Sequence, residues 1–505
     1  MKKIAFNLLI ILLPLASYGN NLRIWGASLD GNSINFEIAW DNSWNYSEDN
    51  GSHDAVWVFA KGKSTSGVWV HIDLETEQNR HFSSNPLAIN AVSDGKGVFV
   101  FSHNAGTYNI SSTQVTIATT TNLSSFEDVR IFGIEMVNVP QGQFYAGDGV
   151  SISSLGNSNS NPLLITSEDE IMGETIAIVN PNQEFTPEPI ANSIQSSFPK
   201  GYSSFYVMKY EVSQIQYTHF LNTLSYNQQA SRTEYPPSSQ RGTFAMTNPY
   251  QPDSLFRNGI AIKVSGTPTG SPAVYALDGN KNGVFNEDND GLHRAANLLS
   301  WGDLSAYLDW ASLRPLTELE FEKACRGAGI NPIAGEFAWG TSEITNANNP
   351  ENDGTVFETV MDTPTSGSGL ANHGNVIAAD GWGLRGVLRT GFAANESSTR
   401  LEAGAAYYGV MEMSGNVWEQ TIMIGGGGEQ YTGKPGDGQL NADGNANEAN
   451  WCNPSTASGV LLKGGGWAST ISDVGAWRDL AVSDRFYSHL KPSTRRNTVG
   501  GRGAR

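Results

Sequence analysis

The sequence predicts an α+β protein in two parts, a β-rich unit over residues 20–130 and a mixed unit over residues 131–505. Three observations carry this reading. Short apolar strands with polar turns crowd the first part. Helix starts are legible in the second. The 55 glycines, with abundant Asn and Ser, imply many turns and little long helix.

In the first part, Ile34-Asn35-Phe36-Glu37-Ile38-Ala39-Trp40 alternates inside and outside with period two. Ala55-Val56-Trp57-Val58-Phe59-Ala60 is a continuous apolar run, as for a strand buried on both faces. Val68–Ile72, Gly97–Phe101 and Gln114–Ile117 continue the series, and together they suggest a β-sandwich-like domain. His53, His71, His81 and His103 are scattered, so surface or edge packing is their expected role. The β-rich unit has its own apolar strands and is expected to be separable, with a boundary near Asp128–Ile131.

In the second part, Ser213 with Gln216 and Thr317 with Glu320 are capping boxes. Val212 with Tyr217 and Leu316 with Phe321 make hydrophobic staples around them. Ser300 caps a third helix with Asp303 at N3, and Leu304, Tyr307, Leu308 and Ala311 mark its buried face. Pro315 forces a break before the next helix. Beyond about residue 330 the chain is Gly/Asn-rich and long loops dominate.

Residues 1–19 read as a secretory signal peptide: Met1-Lys2-Lys3, an apolar run from Ile4 to Leu15, then Ala16-Ser17-Tyr18-Gly19. The run is short for a membrane span, and no Cys follows it to carry a lipid. The mature protein is therefore expected to be exported without a stable membrane anchor, to the periplasm, cell surface or exterior. A net charge of −19 argues against nucleic acid and favours cations. The two cysteines, Cys325 and Cys452, cannot form a disulfide framework, although a single pairing stays open.

Asp278-Gly279-Asn280-Lys281-Asn282-Gly283-Val284-Phe285-Asn286 places oxygen side chains at positions one, three, five and nine, Gly at six and a carbonyl at seven. That is the spacing of an EF-hand calcium loop, in which alternate residues point inward around a sharp Gly bend. Asn289 stands where the bidentate acid would be, and Asp288 or Asp290 is available to replace it. An Asn/Gly loop without metal is the alternative. Over 278–290 the segment looks like a single inserted loop of dockerin type.

Gly409-Val410-Met411-Glu412-Met413-Ser414-Gly415-Asn416-Val417-Trp418-Glu419 reads as a tight loop between hydrophobic flanks. Gly415 permits positive φ and Asn416 tolerates it. Glu412 and Glu419 bracket the turn, so hard oxygen ligands suited to calcium can converge there. A packed turn with two solvated acids is the other reading. The stretch also resembles the G-L-Y-D-M-S-G-N-V-W-E-W signature of the formylglycine-generating enzyme, or sulfatase-modifying-factor, family. Met136–Phe144 resembles that family's opening strand, and Tyr206-Val207-Met208-Lys209-Tyr210-Glu211-Val212-Ser213 its F-x-I-x-K-Y-E-V-T segment. Arg314–Ala324 is similar to its R-L-P-T-E-A-E-W-E-Y-A helix, Leu462–Trp467 to its R-G-G-S-W strand, and Gly500–Arg505 to its G-F-R-x-x-R end. The resemblance covers residues 131–505 in order. It implies a C-type-lectin-like mixed domain with little regular secondary structure. It also implies a calcium site made by the Glu412 and Glu419 side chains and the Gly415 and Val417 carbonyls. A second family calcium site maps near Asn375-Val376 and Asp380, with altered spacing.

The chain departs from the family at the catalytic positions. Family members that oxidise a sulfatase cysteine hold copper(I) through two cysteines after the R-G-G-S strand, as soft thiolates suit copper(I). Read without gaps, those positions hold Ser469 and Val474, so no catalytic residue is assigned and copper is not expected. The sulfoxide-synthase branch binds iron through histidines of an added helical domain, and the β-rich first part offers no such cluster. Three functions follow as expectations. The first is an exported, calcium-stabilised binding or structural protein with a protein or glycan ligand. The second is a modifying enzyme of altered chemistry. The third is a component of a surface, gliding or secretion assembly.

Overall fold

The computed structural model describes residues 21–46, 51–247, 255–375, 385–469 and 478–505. The signal-peptide segment, Val376, Asp380 and Val474 lie outside these residues.

Among the described residues nine strands build the first part: β1 (Arg23–Asp30), β2 (Ser33–Tyr46), β3 (Ser52–Ser64), β4 (Trp69–Ile72), β5 (Phe82–Ser83), β6 (Leu87–Ala91), β7 (Val98–Ser102), β8 (Gly106–Ala118) and β9 (Phe126–Val139). One layer is β1-β2-β8-β5; the facing layer centres on β3, which pairs with β4, β7 and β9. Ile34, Phe36, Ile38 and Trp40 of β2 pack between the layers against Val56, Val58 and Ala60 of β3 and Val115 and Ile117 of β8. The layers join at one corner, where Asn45 and Tyr46 of β2 pair with His53 and Ser52 of β3.

The continuous apolar run in β3 is explained by its other face. Ala55, Trp57 and Phe59 join a second core with Tyr217, Phe220, Leu304, Tyr307 and Trp310 of the mixed unit. The Trp57 indole donates to the Ala311 carbonyl at 2.9 Å, and the Phe59 and Trp310 rings meet edge to face at 5.2 Å. β9 is the joint: it pairs with β3 from Phe126 to Val137, then with the strand Phe205–Met208 from Met136 to Val139. The sheet continues through Gly503–Ala504 to Arg314–Pro315. The two units thus share a core across this face of β3. A strand apolar on both faces needs a layer on each side, and the mixed unit supplies the second one.

The mixed unit carries α1 (Gln214–Leu221), α2 (Tyr226–Arg232), α3 (Trp301–Trp310) and α4 (Glu318–Arg326). Capping boxes at Ser213, Ser300 and Thr317 form as the sequence predicts. α2 also starts with a capping box, Ser225 with Gln228, but lacks the apolar period that marks a helix in sequence. α4 is buried on every side. Its three acids are tolerated there because each meets a cation: Glu318 meets Arg485, Glu320 meets Arg314, and Glu322 meets Arg326 and Lys463. Among the described residues no helix is long and apolar enough to cross a membrane.

Candidate functional site

The stretch 409–419 lies where the mixed unit's segments converge. The strand Trp418–Ile422 pairs antiparallel with Val460–Lys463 and parallel with Val499–Gly500. The turn before it has φ of 98° at Gly415 and 62° at Asn416, as the residue types suggest. A Cβ on Gly415 would sit 2.9 Å from the Asn372 carbonyl oxygen, so only glycine fits. Glu412 is also at positive φ, 55°, a strain of roughly 1–2 kcal/mol for such a residue.

Three carboxylates meet around this turn, all buried. Arg502 donates to both oxygens of Glu419, and also to the carbonyls of Met208, Lys209 and Met411. Burial opposes the Arg502 charge, but Glu419 outweighs it and holds the guanidinium firmly protonated. Glu211 accepts from the Asn416 side chain at 2.5 Å and the Val417 N–H at 3.0 Å. Burial, reinforced by Glu412, pushes the Glu211 carboxyl well above its ordinary range. Glu412 accepts from the Gly391 N–H with one oxygen, and its Oε2 has no hydrogen-bond partner. Burial raises its pKa to about 7.

The four groups expected to hold calcium here therefore divide. Glu419 is not a free carboxylate, since Arg502 occupies both oxygens; Glu412 offers one unpartnered oxygen. Sequence reasoning left Glu211 and Arg502 without roles. Both stand inside the quoted motifs, yet only the fold brings residues 211, 419 and 502 together.

The loop after the strand Val274–Leu277 closes as its spacing predicts. Both Asp278 oxygens accept from the Gly283 N–H at 3.2 Å, with Gly283 at φ 79° forming the bend. Asn280 accepts from the Asn282 N–H, and Asn282 from the Val284 N–H. Of the two acids flanking Asn289, Asp290 is fully buried and accepts from the N–H groups of Glu287 and Asn280, while Asp288 is exposed. Burial raises the Asp290 pKa. Asn286 instead turns its side-chain oxygen to the Leu277 N–H, and Glu287 comes in to accept from Asn280 and Asn282. Among the described residues no three His, Cys, Asp or Glu side chains converge as a metal centre needs. A cation in this loop would therefore rest on amide and carbonyl oxygens beside Asp278 and Asp290.

Both cysteines are free thiols: Cys325 is buried in α4 and Cys452 is half-buried. Burial raises the first well above the usual thiol range and the second to about 12, so neither is an activated nucleophile. Ser469 is buried in a tight turn, its Oγ accepting from the Gly466 N–H and its carbonyl from the Gly374 N–H. Beside that contact His373 is 3% exposed, with neither ring nitrogen hydrogen-bonded. Asn375, from the second implied calcium site, donates to Asn372, which donates to Asn416.

The sheet, helices α1 to α4 and the carboxylate-lined turn define an α+β domain organised by buried ion pairs. The chain belongs to the family of the sulfatase-modifying factor enzyme 1-like domain, whose family model matches residues 130–505. A search of curated proteins finds no match.

Proposed function

We propose that this protein is an exported, non-oxidising member of its family that acts by binding, with its mixed unit stabilised by calcium and arranged in the C-type-lectin-like manner. The observation that carries the reading is Ser469. Read without gaps, it falls where the resemblance puts the family's first cysteine, and it takes part in a closed backbone turn. A hydroxyl is a hard, weak ligand for copper(I), and Cys325 and Cys452 occupy other elements. Asp278, Asn280, Asn282, the Val284 carbonyl and Asp290 would hold calcium. The ion would supply positive charge that offsets the cost of burying two acids. The test is a Cys-x-Pro-x-Arg peptide incubated with the protein, copper and oxygen, then weighed by mass spectrometry. The thiol is expected to persist; conversion to the aldehyde sinks the reading.

One observation favours the second reading, a modifying enzyme of altered chemistry. His373 is a buried imidazole with two unpartnered nitrogens, next to the turn that holds Ser469. The same peptide assay, extended to other side-chain modifications by mass, decides between the two.

A further inference from the structure

The layer β1-β2-β8-β5 is covered on one face only. Ile34, Phe36, Ile38, Val115 and Ile117 turn inward and are at most 1% exposed. The residues alternating with them turn outward, because successive strand residues point to opposite faces. Register aligns these in two neighbouring rows. One row runs Phe82, Thr116, Asn35, Ser28, and the next runs Gln114, Glu37, Trp25. Phe82 is 64% exposed and Trp25 39%. Between them Gln114 and Ser28 are exposed, and Asn35, Glu37 and Thr116 half-buried. Thr116 donates to Asn35 at 2.6 Å and Ser112 donates to Glu37, so Asn35 and Glu37 are tied to the neighbouring strand.

We infer that this face binds a neutral glycan chain, lying across the strands from Phe82 to Trp25. Sugars present an apolar C–H face and a rim of hydroxyls. The two aromatic rings match the first, since an aromatic face attracts polarised C–H groups. The amide, hydroxyl and carboxylate groups between them match the second, offering both donors and acceptors. From β5 to β1 is three inter-strand steps, about 14 Å, which fits a few sugar units rather than one. The two rings are separated by polar groups, so the face lacks the contiguous apolar centre that anchors a protein partner. Glu37 and the net charge of −19 disfavour nucleic acid and acidic sugars. The inference rests on the reading of the chain as an exported binding protein and gives that reading a ligand class and a surface.

The experiment is an array of neutral and uronic-acid oligosaccharides probed with the full-length protein, followed by calorimetry on the best neutral binder. Trp25→Ala and Phe82→Ala are each expected to weaken binding tenfold or more. Tyr235→Ala, which removes an exposed aromatic of the mixed unit, is expected to leave it unchanged. Both sandwich positions are exposed, and unchanged melting temperatures check that the variants fold. The inference is overturned if no neutral oligosaccharide binds, if binding survives both substitutions, or if only uronic-acid chains or polypeptides are captured. The peptide assay above reads the other unit, so failure of that reading and failure of this one are told apart.

Discussion

Arg502 meets Glu419 in a bidentate pair, Nε and Nη2 each 2.7 Å from a carboxylate oxygen, with at most 1% of either side chain exposed. The pair ties the last residues of the chain to the strand after the signature turn. Its remaining N–H groups reach the carbonyls of Met208, Lys209 and Met411, so one side chain links three segments. Removing one partner leaves the other charge buried. Arg502→Met is therefore expected to cost about 3–5 kcal/mol in denaturant unfolding, and Glu419→Gln a similar amount. The double variant should lose less than the sum. Strict additivity would mean that the two side chains act independently.

The shared core predicts one unfolding event. Trp57, Phe59 and Phe99 lie in the same apolar cluster as α1 and α3. Cutting near residue 130 would expose that face and sever β9 from β3. Calorimetry of the full chain should show a single cooperative transition, and limited proteolysis should release no stable fragment beginning within 119–129. Two resolved transitions would show that the sandwich folds without its second layer.

Calcium should act mainly through the loop at 278–290. A chelator is expected to lower the melting temperature and calcium to restore it, with magnesium less effective because it demands tighter octahedral geometry. Binding at a hundredfold excess over Kd stabilises by about 2.7 kcal/mol, a few degrees for a chain of this size. Asp278→Ala and Asp290→Asn should abolish most of the response, and Glu419→Gln should leave most of the calcium shift intact. A response that follows Glu419 instead would place the ion at the signature turn.

His373 predicts a pH effect. Burial lowers its pKa from 6.5 to about 4. A histidine depressed in the folded state contributes stability fully present above about 6.5 and lost as pH falls towards 4, because the unfolded chain takes up the proton first. His373→Phe should make the fall in stability between pH 6.5 and 4 shallower, by up to about 3 kcal/mol at the acid end. At neutral pH it should be neutral or stabilising, since it removes two unpaired buried nitrogens. A variant with the parent's pH profile would mean that the imidazole is protonated through a partner or is open to water.

The sequence by itself determined the local elements. Period-two strands, three of the four helix starts, the positive-φ turn at Gly415 and the Asp278–Gly283 bend were legible because each depends on residues a few positions apart. The motifs of the mixed unit likewise marked the family that residues 130–505 match. Tertiary structure alone decided what those elements face. That Ala55–Ala60 lies between two layers, that Glu419 is held by an arginine 83 positions later, and that Asp290 rather than Asp288 turns inward are long-range or register facts. A carboxylate has the same sequence signature whether it awaits a cation or already has a guanidinium. Only the packing of distant segments, which fixes burial and partner together, separates the two.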